Sequence, residues 1–230
     1  MSRVIVTVGF GPGTATAVAE RFGAEGFSVA LVARNQERLA TGVSALRARG
    51  ITAFGFPADA GDPISIRAAI KSIRSQMGPI TVLHWNAYGG LEVGDLLAAD
   101  PDSLRRVFDV AVFGLLAATE EAQSDLKASE GGAILVSNGG FGEASSEMDA
   151  AATNFHAMGI ALSSAAKHKL AGLLAQRLKG EGIYVGEIMT FGTIKGTSPD
   201  NVGSVDPAVI AGKFWEMYQA RRETRATIRG

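Results

Sequence analysis

The sequence predicts a single α/β domain built on a doubly wound parallel sheet with helices on both faces. Short apolar runs alternate with longer stretches of helical periodicity along all 230 residues, as repeated βα units require. Several of these runs are apolar throughout, which is typical of strands that are covered on both faces of a sheet. Glycines also follow the predicted helices where helices should end.

The predicted strands and helices alternate in chain order. Strands are predicted over residues 4–8, 28–33, 52–56, 81–85, 133–137 and 183–189. Helices are predicted over residues 14–22, 36–49, 63–77, 101–127 and 155–179, with a last helix over 206–222 and a short edge strand over 224–228. Asp62-Pro63 and Asp100-Pro101 are typical of a capping residue followed by a first-turn proline. Residues 139–152 are predicted to be irregular, either a lid over the ligand crevice or a solvated surface loop.

The turn after the first strand is the most informative stretch. It consists of Gly9, Phe10, Gly11, Pro12, Gly13 and Thr14. Glycines let the backbone turn sharply and approach a ligand, and the free N–H groups of a new helix attract phosphate. The spacing fits G-x-x-x-G-x-A, ending at Ala15, and does not fit G-x-G-x-x-G. We expect phosphate binding here, although such a turn is often only a tight connection.

Composition excludes several functional classes. The formal net charge is −1 and the chain has no cysteine, so we expect no nucleic-acid partner, no disulfide and no thiolate chemistry. No apolar run approaches the roughly 18 residues of a membrane span. The histidines His84, His156 and His168 have no carboxylate at ligand spacing, so no metal site is predicted. We expect a cytoplasmic protein without a membrane partner.

Arg34 and Asn35 follow the second predicted strand. In a dinucleotide-binding fold this position meets the adenosine ribose, where a cation accommodates a 2′-phosphate. Arg34 therefore favours NADP, with NAD the less favoured cofactor.

Taken together, these motifs resemble the short-chain dehydrogenase/reductase family, which has a Rossmann-type fold, and the likeness covers almost the whole chain. Residues 7–15 resemble its T-G-x-x-x-G-x-G loop, and residues 32–35 resemble the NADP-type end of its second strand. The resemblance implies further cofactor contacts at Asp59 and Ala60 beside the adenine, at Asn86, Ala87 and Tyr88 in the N-N-A-G motif, and at Gly192 and Ile194 in the P-G-x-V/I segment.

The sequence departs from this family at the catalytic positions, which normally hold Asn, Ser, Tyr and Lys. Lys167 is in place, where the resemblance implies that it holds the nicotinamide ribose of the cofactor, but Ser163 occupies the Tyr position. A serine hydroxyl is shorter than a phenol and a much weaker acid, so it does not simply replace one. Gly139 occupies the Ser position and Ala111 the Asn position.

Three interpretations of these departures remain. The chain is an oxidoreductase of a small carbonyl or alcohol substrate with a rearranged site, in which Lys167, Ser163 and Asn138 act and His156 is a candidate proton donor. Alternatively, it binds NADP(H) without turnover, as a sensor or regulatory subunit. In the third interpretation the chain has lost cofactor binding. That interpretation gives no reason why four ligand-type polar residues remain at the expected positions, namely Arg34, Asp59, Asn86 and Lys167.

Other expectations concern the histidines and the assembly. His84 is expected to be a satisfied core histidine, whereas His168 and Lys169 are expected to face solvent or a subunit. The resemblance implies a homodimer or homotetramer, formed through the helices at 101–127 and 155–179. Substrate contacts are expected from residues 139–152 and 193–205.

Overall fold

A computed structural model describes residues 3–197 and 203–230. Within that part of the chain, seven strands form one sheet in the order β3-β2-β1-β4-β5-β6-β7, and neighbouring strands pair in parallel. The strands are β1 Arg3–Val8, β2 Phe27–Ala33, β3 Ala53–Pro57, β4 Ile80–Trp85, β5 Ala133–Gly139, β6 Tyr184–Phe191 and β7 Arg225–Arg229. The strand order reverses between β1 and β4, which places a ligand crevice at their carboxyl ends.

Helices cover both faces of this sheet. They are α1 Thr14–Ala24, α2 Gln36–Ala48, α3 Pro63–Met77, α4 Pro101–Phe108, α5 Leu115–Ala128, α6 Ser146–Asn154, α7 Met158–Leu178 and α8 Pro207–Ala220. One core cluster packs α3, α5 and α7 on one face, and a second packs α1, α2 and α8 on the other. The predicted doubly wound fold is confirmed. No helix in the described residues is both long and apolar enough to cross a membrane.

The predicted strands are confirmed, with ends within two residues of those observed. Helix starts follow the predicted chemistry, because Asp62 accepts a hydrogen bond from Ile64 N and Asp100 accepts one from Ser103 N. In each case proline occupies the first turn, where its missing N–H costs nothing.

Two helix predictions were wrong in detail. The helix expected over 101–127 is interrupted by a six-residue π segment, Asp109–Gly114. There Gly114 lies so close to Ala60 O that an added Cβ would be 1.9 Å from it, so the wider turn accommodates a backbone contact that periodicity does not reveal. The helix expected over 155–179 begins only at Met158, since His156 has a φ of +50°.

The segment at 139–152 is largely ordered, which corrects the expectation of an irregular lid or loop. A short 3₁₀ turn, Gly140–Gly142, follows β5, and α6 begins at Ser146. Ser145 caps α6 by accepting a hydrogen bond from Met148 N at 3.3 Å, and Glu147 and Asp149 occupy the first turn. Serine and acids favour helix starts as well as loops, so their composition was ambiguous.

Candidate cofactor and active site

The glycine turn lies at the switch point between β1 and β4. Gly9 has a φ of +81°, and an added Cβ would lie 2.4 Å from Ala87 N. The amides of Gly9 and Phe10 both donate to Val32 O at 3.0 Å. Glycine is therefore required at position 9 for its backbone conformation and for the close approach of the turn to the end of β4.

Helix α1 begins at this turn without a side-chain cap. Gly13 is its N-cap, with a φ of 80° and no side-chain hydrogen bond to the helix. The Thr14 hydroxyl is buried and has no partner among the described residues. Uncapped first-turn N–H groups and the positive end of a helix dipole attract anions, so this helix start has the chemistry to accept a phosphate.

The segment after β6 covers the glycine turn. A Cβ added to Gly13 would lie 3.1 Å from Ile194 Cγ2 and 2.7 Å from Thr197 Cγ2. The structure thus brings the Ile194 side chain against the start of α1. Gly192 has a φ of +115° and begins the same segment. Residues 198–202 of the predicted 193–205 substrate segment lie outside the described residues.

The Phe10 side chain points away from the crevice. It is 6% exposed, and a Cβ on Gly42 would lie 2.4 Å from its ring. A Cβ there would also come within 3.0 Å of Leu31 Cδ1, so the ring fills the space between α2 and the sheet. Phe10 also lines the cavity that opens beside the glycine turn.

A cavity of about 450 Å³ opens beside the glycine turn, between α1 and α2. Its lining includes Gly11, Pro12 and Thr16 from the turn and α1, and Asn35 and Arg38 from α2. The Asn35 side chain accepts from Arg38 N at 2.8 Å and so caps α2. Two acidic residues, Glu20 and Glu37, also line the cavity.

Arg38 lines this cavity, and Arg34 directly precedes Asn35, which also lines it. Both arginines are exposed, and neither has an ion-pair partner among residues 3–197 and 203–230. Arg38 Nη1 lies 3.8 Å from the position of a Cβ on Gly11. Sequence reasoning named Arg34 and missed Arg38, although its place in the first turn of the helix that follows Arg34 was a usable signal.

The positions predicted to meet the adenine lie after β3. Asp59 is exposed, and its Oδ1 accepts from Gly61 N at 2.9 Å. The Asp59 amide N–H donates to Ser65 Oγ at 3.1 Å. Ala60 contacts Gly114 through its carbonyl. These bonds hold the turn that borders the crevice.

Asn86 fastens the glycine turn to β4. Its backbone N–H donates to Val8 O at 2.8 Å, and its Nδ2 donates to Gly9 O at 3.1 Å. These two hydrogen bonds join the end of β4 to the turn after β1. Tyr88, two residues later, is 59% exposed.

Lys167 projects from α7 to the carboxyl ends of β4 and β5. Its Nζ donates to Ala87 O at 3.3 Å and to Ser137 O at 3.2 Å. The side chain is almost fully buried, and this burial lowers the pKa of Lys167 to about 8, while the nearby Glu187 carboxylate opposes that shift.

Ser163 is fully buried and is directed at backbone carbonyls. Its hydroxyl has two acceptors, Ile160 O at 2.9 Å and Gly89 O at 3.2 Å. A hydroxyl carries one proton, so the two acceptors share it. These hydrogen bonds join the segment after β4 to α7. The Ser163 hydroxyl proton is therefore donated within the protein.

Asn138 is also committed to internal hydrogen bonds. Its Nδ2 donates to Ser164 O at 2.8 Å and to Glu187 Oε1 at 2.7 Å, and its Oδ1 accepts from Gly139 N at 3.0 Å. Both amide N–H groups are therefore in use. To polarise a substrate carbonyl, Asn138 would have to break one of these hydrogen bonds.

Glu187 is a buried carboxylate that sequence reasoning missed. It is 1% exposed in the middle of β6, and its Oε2 accepts from His168 Nδ1 at 2.8 Å and lies 3.6 Å from Arg225 Nε. His168, which was expected to face solvent or a subunit, is half-buried and also contacts this acid, whereas Lys169 is exposed. An acid within an otherwise apolar strand was the available signal.

The remaining histidines lie elsewhere. His156 is exposed in a left-handed conformation beside Gly94, and none of the hydrogen bonds described for residues 3–197 and 203–230 joins its ring to Lys167 or Asn138. His84 is buried, with Nε2 3.0 Å from Ser137 Oγ, and burial lowers its pKa to about 3. Its Nδ1 has no partner in the described residues, so His84 is a core histidine that is satisfied at one nitrogen. No described group of three acids or histidines could hold a metal ion.

Known proteins share this sequence pattern and this fold. Residues 3–198 match the family model described as short chain dehydrogenase. Over 133 residues the chain is 29% identical to 2,3-dihydro-2,3-dihydroxybenzoate dehydrogenase of Bacillus subtilis. The matched region covers 58% of this chain and 51% of that protein. The chain thus spans about half the length of the curated relatives that it matches.

Two solved structures illustrate the likeness in fold. L-sorbose reductase from Gluconobacter frateurii, complexed with NADPH and L-sorbose, has a TM-score of 0.87 at 19% identity, covering 100% of this chain and 95% of that one. An NADPH-bound short chain oxidoreductase from Pseudomonas aeruginosa PAO1, described as containing an atypical catalytic center, has a TM-score of 0.84 at 19% identity, covering 99% and 95%. At these identities the likeness shows the fold.

Proposed function

This chain belongs to the short-chain dehydrogenase family, and from that premise we propose that it is an oxidoreductase that binds NADP(H) and transfers a hydride to or from a small carbonyl or alcohol substrate. The observation that carries the proposal is the uncapped start of α1 at a turn whose Gly9 cannot take a side chain. That geometry suits a pyrophosphate, which accepts hydrogen bonds from backbone N–H groups.

The choice of NADP rests on the two arginines beside the turn. Arg34 follows β2, Arg38 lies in the first turn of α2, and each is free of an ion pair within the described residues. A 2′-phosphate at this edge would meet two guanidinium groups, which bind phosphate through charge-assisted hydrogen bonds. Several proteins of similar fold have been solved as complexes with NADP or NADPH.

Fluorescence titration with NADPH and NADH tests this proposal. We expect NADPH to bind more tightly, and we expect Arg34→Asp to reduce its affinity about 10- to 100-fold, since hydrogen bonds to charged groups contribute roughly 1.5–3 kcal/mol. Arg222→Asp, at an exposed position after α8, is the matched control and keeps the wild-type affinity. Failure to bind either nucleotide would refute the proposed function, and unchanged selectivity in Arg34→Asp would refute this role of Arg34.

A second candidate function is an NADP(H)-binding sensor or regulatory subunit without turnover. It is favoured by the internal commitment of Ser163 and Asn138 and by the absence of a polar side chain at Ala111 and Gly139. The Pseudomonas aeruginosa neighbour is described as having an atypical catalytic center, which favours instead an enzyme of an atypical kind. NADPH consumption in a screen of carbonyl compounds separates the two functions.

We also propose that the chain forms a homodimer or homotetramer, as the resemblance implies. The proposed contact surface lies on the π segment and α5 together with α7. Phe113 on the π segment and Leu173 on α7 are each more than half exposed. Burial of such apolar side chains against a second copy would contribute to assembly.

A further inference from the structure

The carboxyl ends of β4 and β5 hold few polar groups that are free to act on a substrate. The Ser163 proton is shared between two backbone carbonyls, and both N–H groups of the Asn138 amide are donated within the protein. The Lys167 ammonium differs, because it carries three N–H donors and, among residues 3–197 and 203–230, only two of them have acceptors, the carbonyls of Ala87 and Ser137.

We propose that Lys167 is itself the catalytic acid and base of this chain, delivering directly the proton that the family assigns to a tyrosine. The proposal rests on the function proposed above. In a reduction, the carbonyl carbon gains a hydride from NADPH while the carbonyl oxygen takes a proton from Lys167 Nζ. The C=O bond becomes CH–OH, NADP⁺ is formed, and the neutral Lys167 amine regains a proton from water. Alcohol oxidation reverses each transfer.

The electrostatics of the site suit this role. A general acid works best when its pKa is close to the working pH, and burial brings the pKa of Lys167 to about 8. The Glu187 carboxylate opposes this shift and favours the protonated ammonium. Glu187 is in turn held by Asn138, His168 and Arg225, so the acid that tunes Lys167 has a fixed position.

Other ionisable groups near α7 leave the Lys167 ammonium largely unaffected. His84 reaches Ser137 Oγ from the opposite face of the sheet and is neutral, because burial lowers its pKa to about 3. The elements packed against α7 also carry Arg106 on α4, Asp109 on the π segment, and Glu147 and Asp149 on α6. Among all these charged groups, Glu187 is the one that shifts the pKa of Lys167.

The first test measures the titration of Lys167 without any turnover. The protein is labelled with lysine carrying ¹³C at Cε, and the ¹³Cε shift is followed by NMR from pH 6 to 11, with Lys167→Arg identifying the Lys167 signal. We expect a midpoint near 8 for Lys167 and a lower midpoint in Glu187→Gln. A Lys167 signal that titrates near the ordinary lysine value of about 10.4 would overturn the proposal.

The second test separates turnover from cofactor binding. With NADPH and 9,10-phenanthrenequinone as a carbonyl probe, we expect Lys167→Gln to lose at least about 100-fold in kcat and much less in NADPH affinity. The matched control, Lys169→Gln, keeps the wild-type rate. Because the protonated amine is the acid, the wild-type reduction rate falls as pH rises through the Lys167 midpoint.

These experiments test the catalytic role of Lys167 separately from the proposed NADP(H)-dependent function. Absence of NADPH binding would refute the proposed function and remove the basis of the inference. An enzyme that binds NADPH and reduces the probe equally well with Lys167→Gln would refute the inference alone. Loss of turnover in Ser163→Ala, with turnover retained in Lys167→Gln, would identify the Ser163 hydroxyl as the proton donor instead.

Discussion

Replacing Gly9 with alanine tests the contact on which the cofactor end of the crevice is built. Gly9 has a φ of +81°, where an L-residue costs roughly 1–2 kcal/mol. The new methyl would also lie 2.4 Å from Ala87 N, a backbone atom that no side-chain rotation can move away. Overpacking of this kind costs about 1–3 kcal/mol. Gly9→Ala should therefore lower the free energy of unfolding by about 2–5 kcal/mol.

Gly50→Ala is the matched control, because Gly50 has a φ of +77° and nothing lies within 4 Å of an added Cβ. It should cost only the conformational part, about 1–2 kcal/mol. Urea unfolding followed by circular dichroism gives both values, and the difference of about 1–3 kcal/mol isolates the contact with Ala87. NADPH affinity should fall in Gly9→Ala and hold in Gly50→Ala. Equal losses of stability in the two variants would refute the reasoning.

Two further predictions concern buried charge. Burial lowers the pKa of His84 from 6.5 to about 3, so between these pH values the unfolded chain binds a proton that the folded chain does not. The contribution of neutral His84 to the free energy of unfolding is therefore complete above about pH 6.5. It falls on acidification, by about 2 kcal/mol at pH 5. Urea midpoints at pH 7.5 and 5 should differ less in His84→Gln than in wild type, while the exposed His156→Gln keeps the wild-type difference. Asn138→Asp places a carboxylate where Nδ2 now donates to Glu187 Oε1 at 2.7 Å, and two buried carboxylates should cost about 3–5 kcal/mol at neutral pH. Part of the lost stability should be regained between pH 7 and 5, because the carboxylate pair then takes up a proton. A loss of stability no greater than that of the exposed Asn154→Asp would contradict this prediction.

The fold was predictable because its signals are local. A buried parallel strand shows itself as a continuous apolar run, and a helix start shows itself in a capping residue and the proline beside it. Asp62 and Asp100 cap α3 and α4 as expected. The glycine turn was predictable for the same reason, since three glycines between a strand and a helix constrain their own backbone. The prediction of a cofactor contact at Arg34 followed from its position directly after β2.

The chemistry of the candidate active site was not predictable in the same way. Helix periodicity places Lys167 and Ser163 on one face of α7, but it does not show that Ser163 Oγ meets Gly89 O, 74 residues earlier. Nor does it show that Phe10 turns its ring into the space against Gly42. Each of these arrangements depends on which distant backbone atom lies opposite a side chain.

What the sequence determined by itself was therefore the frame: the alternating strands and helices, the helix caps, and the glycine turn with Arg34 beside it. Only the tertiary structure decided which polar groups are free to act. It joins Glu187 to Asn138 across 49 residues and to His168 on α7, and it leaves Lys167 with a donor to spare. The physical reason is that a hydrogen bond is made by atoms within about 3 Å of each other. Residues that are far apart in the sequence come this close only when the strands assemble into the sheet. The sequence alone therefore does not show which atoms meet.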